Sequence, residues 1–430
     1  MKFKIYTLGC KVNTYETNVM REQLQKHGFE EDNSADIIII NTCTVTNTAD
    51  HKSMKMIHHA VREKKENGIL IVVGCLSQVD AERVAALKEV DIILGNKYKS
   101  KIATYIEQFL TDHQPIVIVE DIMTTPFETM KLNNFNRTRA FVKIQDGCNN
   151  FCSYCIIPYS RGNVRSKDPL DVLDEVKTLV KMGHKEIVLT GIHTGHYGTE
   201  FDHYEFADLL TDLLRIDGLE RLRISSIEMN EITPRVIQLL KTNPILVDHM
   251  HIPIQSGCDK VLKDMNRKYQ IAEFALKLQQ IRQVRPNISI STDLIVGFPT
   301  ESDQDFAETL ATLRQLAFSN IHVFPYSARR GTQAASLPDL NGVIKKQRVR
   351  TVMELSRELE QSYNDQFIGQ VVTFIPEVEK DGYLIGHTGN YLLVKALGDA
   401  TLLYQTVPVC LTKVVYPYIE AEVCQQPVEI

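Results

Sequence analysis

No apolar run in this sequence is long enough to cross a bilayer: the longest, such as residues 69–73, fall far short of the roughly 20 residues a spanning helix needs. Residues 1–16 contain no long apolar region and meet a carboxylate early, which speaks against a secretory signal. A cytoplasmic protein without membrane contact is therefore expected. Positive charge is not in excess either. Lys and Arg number 48 against 54 Asp and Glu, for a net charge of −6, so no global basic character advertises a nucleic-acid partner. Nor is there an even set of cysteines: nine suits no disulfide framework. What is present, 43% hydrophobic and 24% charged residues, is the make-up of a soluble globular protein, and 430 residues exceed one core, so two or three domains are expected.

Six of the nine cysteines fall into two groups. Cys148, Cys152 and Cys155 stand in a CxxxCxxC spacing directly after a strand-like run at 140–145. Three thiolates on one loop can grip an iron-sulfur cluster from one side, and since a four-iron cluster usually takes four thiolates, one iron is left open to a small molecule. Short Cys spacings also suit zinc or redox chemistry. In the sequence, however, no His or fourth Cys stands nearby to close a tetrahedron. The second group is dispersed. Cys10, Cys43 and Cys75 each follow the end of a predicted strand, in Leu8-Gly9-Cys10, Asn41-Thr42-Cys43 and Val73-Gly74-Cys75. One strand-end Cys is usually a small buried apolar residue; three in the same position on successive parallel strands converge on the edge where such sheets bind ligands, which predicts a second three-cysteine cluster.

The order of elements supports this. Strands are expected at 3–8, 35–40, 69–73 and 90–94, with helices at 16–26, 49–65 and 81–88, the βαβα order of a parallel sheet. A helix at 101–110, an extended 116–119 and an Asn/Thr-rich linker at 124–136 close this unit near Asn133. Six further strands (141–145, 186–190, 221–225, 249–254, 288–296, 320–325) alternate with helices, several opening on Asp168-Pro169 or Thr233-Pro234 signals. Six β-then-α repeats make an incomplete barrel whose chemistry collects at the carboxyl ends of its strands. There lie the Cys loop, Thr190-Gly191, Ser225-Ser226-Ile227-Glu228, Gln255-Ser256-Gly257, Asp293 and Gly297-Phe298-Pro299. A charged helix over 341–367 carries Val349, Val352, Leu355, Leu359 and Tyr363 on one face for docking. Just before and within it Arg329, Arg330, Lys345, Lys346, Arg348 and Arg350 stand against Asp339 alone, a surface suited to phosphate. The remainder, with turns at Asp381-Gly382 and Gly389-Asn390, reads as a small OB-like β-barrel, unexpectedly acidic, with three Lys against seven carboxylates over 366–430.

The Cys148 loop with Tyr154 and Pro158-Tyr159-Ser160-Arg161-Gly162 resembles the signature loop of radical S-adenosylmethionine (SAM) enzymes. Together with Gly9-Cys10-Lys11-Val12-Asn13, Asn41-Thr42-Cys43-Thr44-Val45, Val73-Gly74-Cys75, Gln255-Ser256-Gly257 and Gly297-Phe298-Pro299, the whole chain is similar to the methylthiotransferase family. The resemblance implies three domains: 1–133 binding an auxiliary cluster, 134–340 as the radical-SAM partial (β/α)6 barrel, and 368–430 as an RNA-binding TRAM barrel, joined by a linking helix at 341–367. It also implies two 4Fe-4S clusters, held by Cys10, Cys43 and Cys75 and by Cys148, Cys152 and Cys155, with SAM on the open iron of the second. By the family's pattern Tyr154 sits near the adenine of SAM and Thr190 and Gly191 near its amino group, with Glu228, Gln255 and Asp293 as candidates for the rest of its pocket. In that family one SAM methylates a sulfur on the auxiliary cluster and a second supplies a radical for attack on carbon 2 of a modified adenine. Gly9 to Glu16 and Val142 to Cys148 look most like the branch acting on N6-threonylcarbamoyladenosine beside the tRNA anticodon; other branches take N6-isopentenyladenosine or a ribosomal-protein aspartate. The expected partners are the tRNA anticodon stem-loop and an electron donor such as flavodoxin or ferredoxin.

Overall fold

The computed structural model describes residues 1–135 and 138–424. Asn136, the last residue of the expected linker, and 425–430 of the expected terminal barrel lie outside them.

The amino-terminal sheet contains β1 (Lys2–Thr7), β2 (Glu30–Glu31), β3 (Ile37–Thr42), β4 (Ile69–Gly74), β5 (Ile92–Leu94) and β6 (Ile116–Ile118), all parallel, in the order β2-β1-β3-β4-β5-β6. Its central strands β3, β4 and β5 are apolar and buried because both faces are covered there, whereas β1 and the edge strand β2 carry Lys and Glu. Ile37, Ile39, Ile71 and Val73 meet α1 (Lys11–Lys26) and α5 (Ile102–Asp112) on one face; Ile38, Ile40, Leu70 and Val72 meet α2 (Asn47–Glu63), α3 (Cys75–Val79) and α4 (Ala81–Ala85) on the other. From β1 the chain goes out to β2 on one side and returns to β3 on the other. The boundary between β1 and β3 is thus the topological switch point, where a parallel sheet opens a crevice at its carboxyl edge. Cys10 follows β1 and Cys43 follows β3 there, while Cys75 opens the five-residue α3, a helix the sequence pattern does not reveal.

In the central unit, β7 (Arg139–Lys143), the two-residue ladder of β8 (Gln145–Asp146) with β9 (Arg165–Ser166), β10 (Glu186–Thr190), β11 (Arg221–Ile224), β12 (His249–His251), β13 (Ser289–Val296) and β14 (Asn320–Pro325) are interleaved with helices. These are α6 (Ile157–Arg161), α7 (Pro169–Lys181), α8 (Phe206–Leu213), α9 (Pro234–Thr242), α10 (Asp259–Asp264), α11 (Ile271–Val284) and α12 (Asp303–Leu316). The six main strands are parallel, in chain order, as two three-stranded sheets joined by a bridge between Leu222 and Leu246. The expected strand at 249–254 ends at His251, because the next residues turn toward Gln255, which holds a left-handed backbone (φ 63°). Asp168 and Thr233 cap α7 and α9 as the sequence suggests.

The long α13 (Gly342–Asp365) buries Val352 and Leu355 in the barrel core, with Val349 and Leu359 against it, whereas Tyr363 packs on the terminal domain instead. That domain is a closed barrel of β15 (Val371–Lys380), β16 (Tyr383–Thr388), β17 (Leu393–Leu397), β18 (Val407–Val415) and β19 (Tyr418–Val423), in the order β15-β16-β17-β19-β18. It has its own core around Phe374, Leu384, Val394 and Leu411. Arg221 fastens it to the central unit by donating to the Thr373 and His387 carbonyls at 2.9 and 3.1 Å.

The basic stretch near α13 does not form one phosphate-facing surface. Arg329 is buried and donates to Asn47 and Thr44 at 2.7 and 2.6 Å; Lys345 is tied to Asp339 at 2.7 Å; Arg348 is buried on Glu301 and Asp303 at 2.5 and 2.7 Å. Half of the run therefore serves the interior. Arg330, Lys346 and Arg350 remain exposed.

Candidate active site

The Cys148 loop leaves the carboxyl end of the β7–β8 segment and is pinned at its base. Cys148 N donates to Gly162 O at 3.0 Å, and Gln145 Nε2 donates to the Asp146 and Gly147 carbonyls at 2.7 Å each. Gly147 takes φ +75°, and a Cβ there would lie 1.8 Å from the Asn163 carbonyl oxygen, so only glycine fits. Burial, reinforced by the neighbouring Cys152, pushes the Cys148 and Cys155 thiols up to about 12. Such thiols keep their protons until a metal displaces them. Two side chains absent from the sequence-level picture stand over this loop: Arg267 Nη1 donates to Cys152 Sγ at 3.3 Å, and His193 Nδ1 lies 3.5 Å from Cys148 Sγ. Burial drives His193 down to about 4 and its partner Glu231 up to about 7, so near neutral pH the imidazole is uncharged and the carboxyl beside it only partly ionised.

Cys10, Cys43 and Cys75 converge at the switch point. A Cβ on Gly9 would lie 2.8 Å from Cys43 Sγ, and Cys43 is pushed up to about 12 by burial and by Cys75 and Cys10. Asn96 Nδ2 and Arg161 Nε both donate to Cys75 Sγ, at 3.4 and 3.3 Å. Arg161 comes from α6, directly after the Cys148 loop, so one side chain links the two cysteine sets. Its Nη1 meets Glu16 at 2.5 Å, and Glu16, fully buried on α1, also binds Lys143 at 2.7 Å and contacts Lys99. Lys143 in turn meets Asp146 at 2.6 Å. With Arg165 also 3.5 Å from Asp146, four buried cations face two buried carboxylates, and part of the leftover positive charge, on Arg161, lies against Cys75. A cationic donor fits an anionic sulfur ligand far better than a neutral thiol.

A cavity of about 810 Å³ opens between the units. Gly9, Cys10 and Lys11 line it on one side, Thr190, Gly191, Ser225 and Asp293 at the barrel mouth, and Tyr391 and His387 from the terminal domain. Of the predicted SAM-pocket residues it gathers Thr190, Gly191 and Asp293, the last with its carboxylate 3.1 Å from His251. Gln255 is held beside Asp293 by backbone pairing, its N–H donating to the Asp293 carbonyl at 2.9 Å. Glu228 is engaged by Arg267, and Tyr154 packs on the wall formed by Phe298 and Met265. Sequence reading passes over Arg161, Arg267, Glu16 and His193. Arg161 and Glu16 had a signal, their places in Pro158-Tyr159-Ser160-Arg161-Gly162 and at the end of the Gly9 to Glu16 motif; the other two are single polar residues whose burial only the fold creates.

Models of known families match two stretches: the radical SAM superfamily over residues 142–313, and "Uncharacterized protein family UPF0004" over residues 2–95. The chain is 42% identical over 429 residues to the threonylcarbamoyladenosine tRNA methylthiotransferase MtaB of Bacillus subtilis (strain 168), covering 97% of this chain and 95% of that one. It is 33% identical over 425 residues to the tRNA-2-methylthio-N(6)-dimethylallyladenosine synthase of Pelotomaculum thermopropionicum, covering 96% and 95%. Among solved structures, the radical S-adenosylmethionine methyltransferase TsrM of Kitasatospora setae shares the fold, with a TM-score of 0.56 at 14% identity over 78% of this chain and 76% of that one. With full-length identity of this order and both cysteine sets in place, the chain belongs to the radical-SAM methylthiotransferase family.

Proposed function

We propose that this protein places a methylthio group on carbon 2 of N6-threonylcarbamoyladenosine next to the anticodon of tRNA, with the reacting base in the 810 Å³ cavity. The observation that carries this reading is that one cavity is lined both by Cys10 of the strand-end set and by Thr190, Gly191 and Asp293 at the mouth of the barrel whose first strand leads into the Cys148 loop. The choice of nucleoside rests on the 42% identity to the enzyme named for it.

As a radical-SAM methylthiotransferase the protein uses S-adenosylmethionine and two 4Fe-4S clusters. In this chain Cys148, Cys152 and Cys155 would hold one and Cys10, Cys43 and Cys75 the other, while Tyr154, Thr190, Gly191, Gln255 and Asp293 would hold SAM, with Glu228 acting through Arg267. When bound, these groups supply the radical that opens an unactivated aromatic C–H and the sulfur and methyl that replace its hydrogen. The chain's own contribution is positional and electrostatic. Arg267, Arg161 and Asn96 aim N–H groups at the thiol sulfurs, which stabilises negative charge there. Arg161 and Glu16 fix the spacing between the two sets from inside the protein. The adenine leaves its stack to reach the cavity.

No helix among the described residues is long and apolar enough to cross a membrane; a cytoplasmic enzyme reduced by a flavodoxin or ferredoxin fits the chemistry. For the RNA backbone, exposed Lys52 and Lys346 line a second cavity of about 800 Å³ that also reaches Cys43. Mass spectrometry of tRNA nucleosides from the source organism with and without the gene tests the reading. Loss of 2-methylthio-N6-threonylcarbamoyladenosine with build-up of its precursor is expected. Loss of the isopentenyl counterpart instead would move the substrate to the other tRNA branch, and an unchanged tRNA profile would point to a protein substrate.

A further inference from the structure

Lys11, the first residue of α1 and the neighbour of Cys10, lines the 810 Å³ cavity and is only partly exposed. Among the described residues its ammonium has no hydrogen-bond or ion-pair partner, although most part-buried cations here have one. Arg139 and Arg223 are among its charged neighbours. Both arginines face Tyr391, at 5.2 and 4.8 Å from its ring, and both have their own carboxylates, Glu377 and Glu186. The same region contains two further unsatisfied groups: Nη1 of Arg223, 1% exposed, and Nδ1 of the cavity-lining His249, 7% exposed. An uncompensated cation beside unfilled polar groups is costly unless something anionic completes it.

The chemistry of the base says where that anion would lie. N6 and carbon 2 of adenine flank N1, on the edge by which a flipped base is read. A substituent on N6 therefore extends along the side from which sulfur must reach carbon 2, and a group that recognises it has to sit beside the sulfur-delivering cysteines. Lys11 is one residue from Cys10. We propose that Lys11 is the counter-ion for a carboxylate on the N6 substituent of the substrate adenine, and so the residue by which this chain selects an amino-acid-bearing nucleoside over one with an apolar N6 group. This rests on the substrate reading above. A site built around a cation rejects a ligand that leaves it unpaired.

The test uses cluster-loaded enzyme and two anticodon stem-loop RNAs differing in one group, N6-threonylcarbamoyladenosine and its neutral methyl ester. Wild-type protein should bind the carboxylate RNA about tenfold to a hundredfold more tightly than the ester, the range for one charge-assisted contact. Lys11→Gln should erase that preference by weakening the carboxylate RNA alone, and Lys11→Arg should keep most of it; iron and sulfide content per chain checks that each variant is folded and loaded. Equal weakening of both RNAs would assign Lys11 to a backbone phosphate, and an unchanged preference would leave it no role; either overturns the proposal. If wild-type protein forms no 2-methylthio product on the carboxylate RNA, the substrate reading falls, and the binding comparison still decides Lys11 separately.

Discussion

Glu16 shows how much of this site depends on residues that never touch the substrate. Its carboxylate is fully buried with Arg161, Lys143 and Lys99 around it, and the positive field of Arg161 and the lysines holds it well below the usual carboxylate range. Replacing Glu16 by Gln leaves those cations without their main counter-charge. Breaking one partner of such a group costs about 3–5 kcal/mol. We expect Glu16→Gln to lower the urea midpoint by a corresponding amount; a loss below 1 kcal/mol would mean that water or the protein relaxes to solvate the cations. Asn13 repeats the pattern, accepting from Arg161 Nη2 at 2.6 Å while donating to the Leu8 and Thr42 carbonyls at 2.7 and 2.9 Å, so the residues just after Cys10 are tied to the end of β3, just before Cys43.

Among elements, the Cys148 loop is the least tolerant. Gly147→Ala requires both a left-handed alanine and a displaced Asn163 carbonyl, since the new Cβ would sit 1.8 Å from that oxygen. Iron content of the purified variant is expected to fall by about half, the share of one of two clusters, with circular dichroism little changed; full iron content would show that the loop can rearrange. The α13 helix gives a second element-scale prediction. Because Arg348 is buried on Glu301 and Asp303, Arg348→Glu should destabilise the protein, by about 3–5 kcal/mol, before it affects RNA binding. Charge reversal at exposed Lys52 and Lys346 should instead leave the melting temperature nearly unchanged, weaken tRNA binding uniformly and reduce the slope of log affinity against log salt by about 1 for each lysine. An unaltered slope would remove these lysines from the RNA path.

At the scale of the whole molecule, the terminal barrel closes the cavity with Tyr391, whose ring lies between His249 and His387 at centroid distances of 4.7 Å each and against Arg139 and Arg223. Aromatic and cation–π contacts of this kind are worth about 0.5–2 kcal/mol apiece. Tyr391→Ala should therefore loosen the docking, seen as faster protease cleavage near 366–370; unchanged cleavage would place the docking energy on Arg221 and α13. The sequence by itself determined the parallel-sheet unit, the β/α alternation of the partial barrel, the closing β-barrel and the two cysteine groups, because periodicity, strand-end position and short spacing are local properties of the chain. It did not determine that Arg161 bridges Cys75 and Glu16, that His193 and Arg267 stand over the Cys148 loop, that half of the basic run near α13 is interior, or that Lys11 is left alone in the cavity. Those depend on which distant residues share a buried space, and a charge has the same letter in the sequence whether it ends in water, in an ion pair or beside an empty pocket. Only the packing of the three units decided between them.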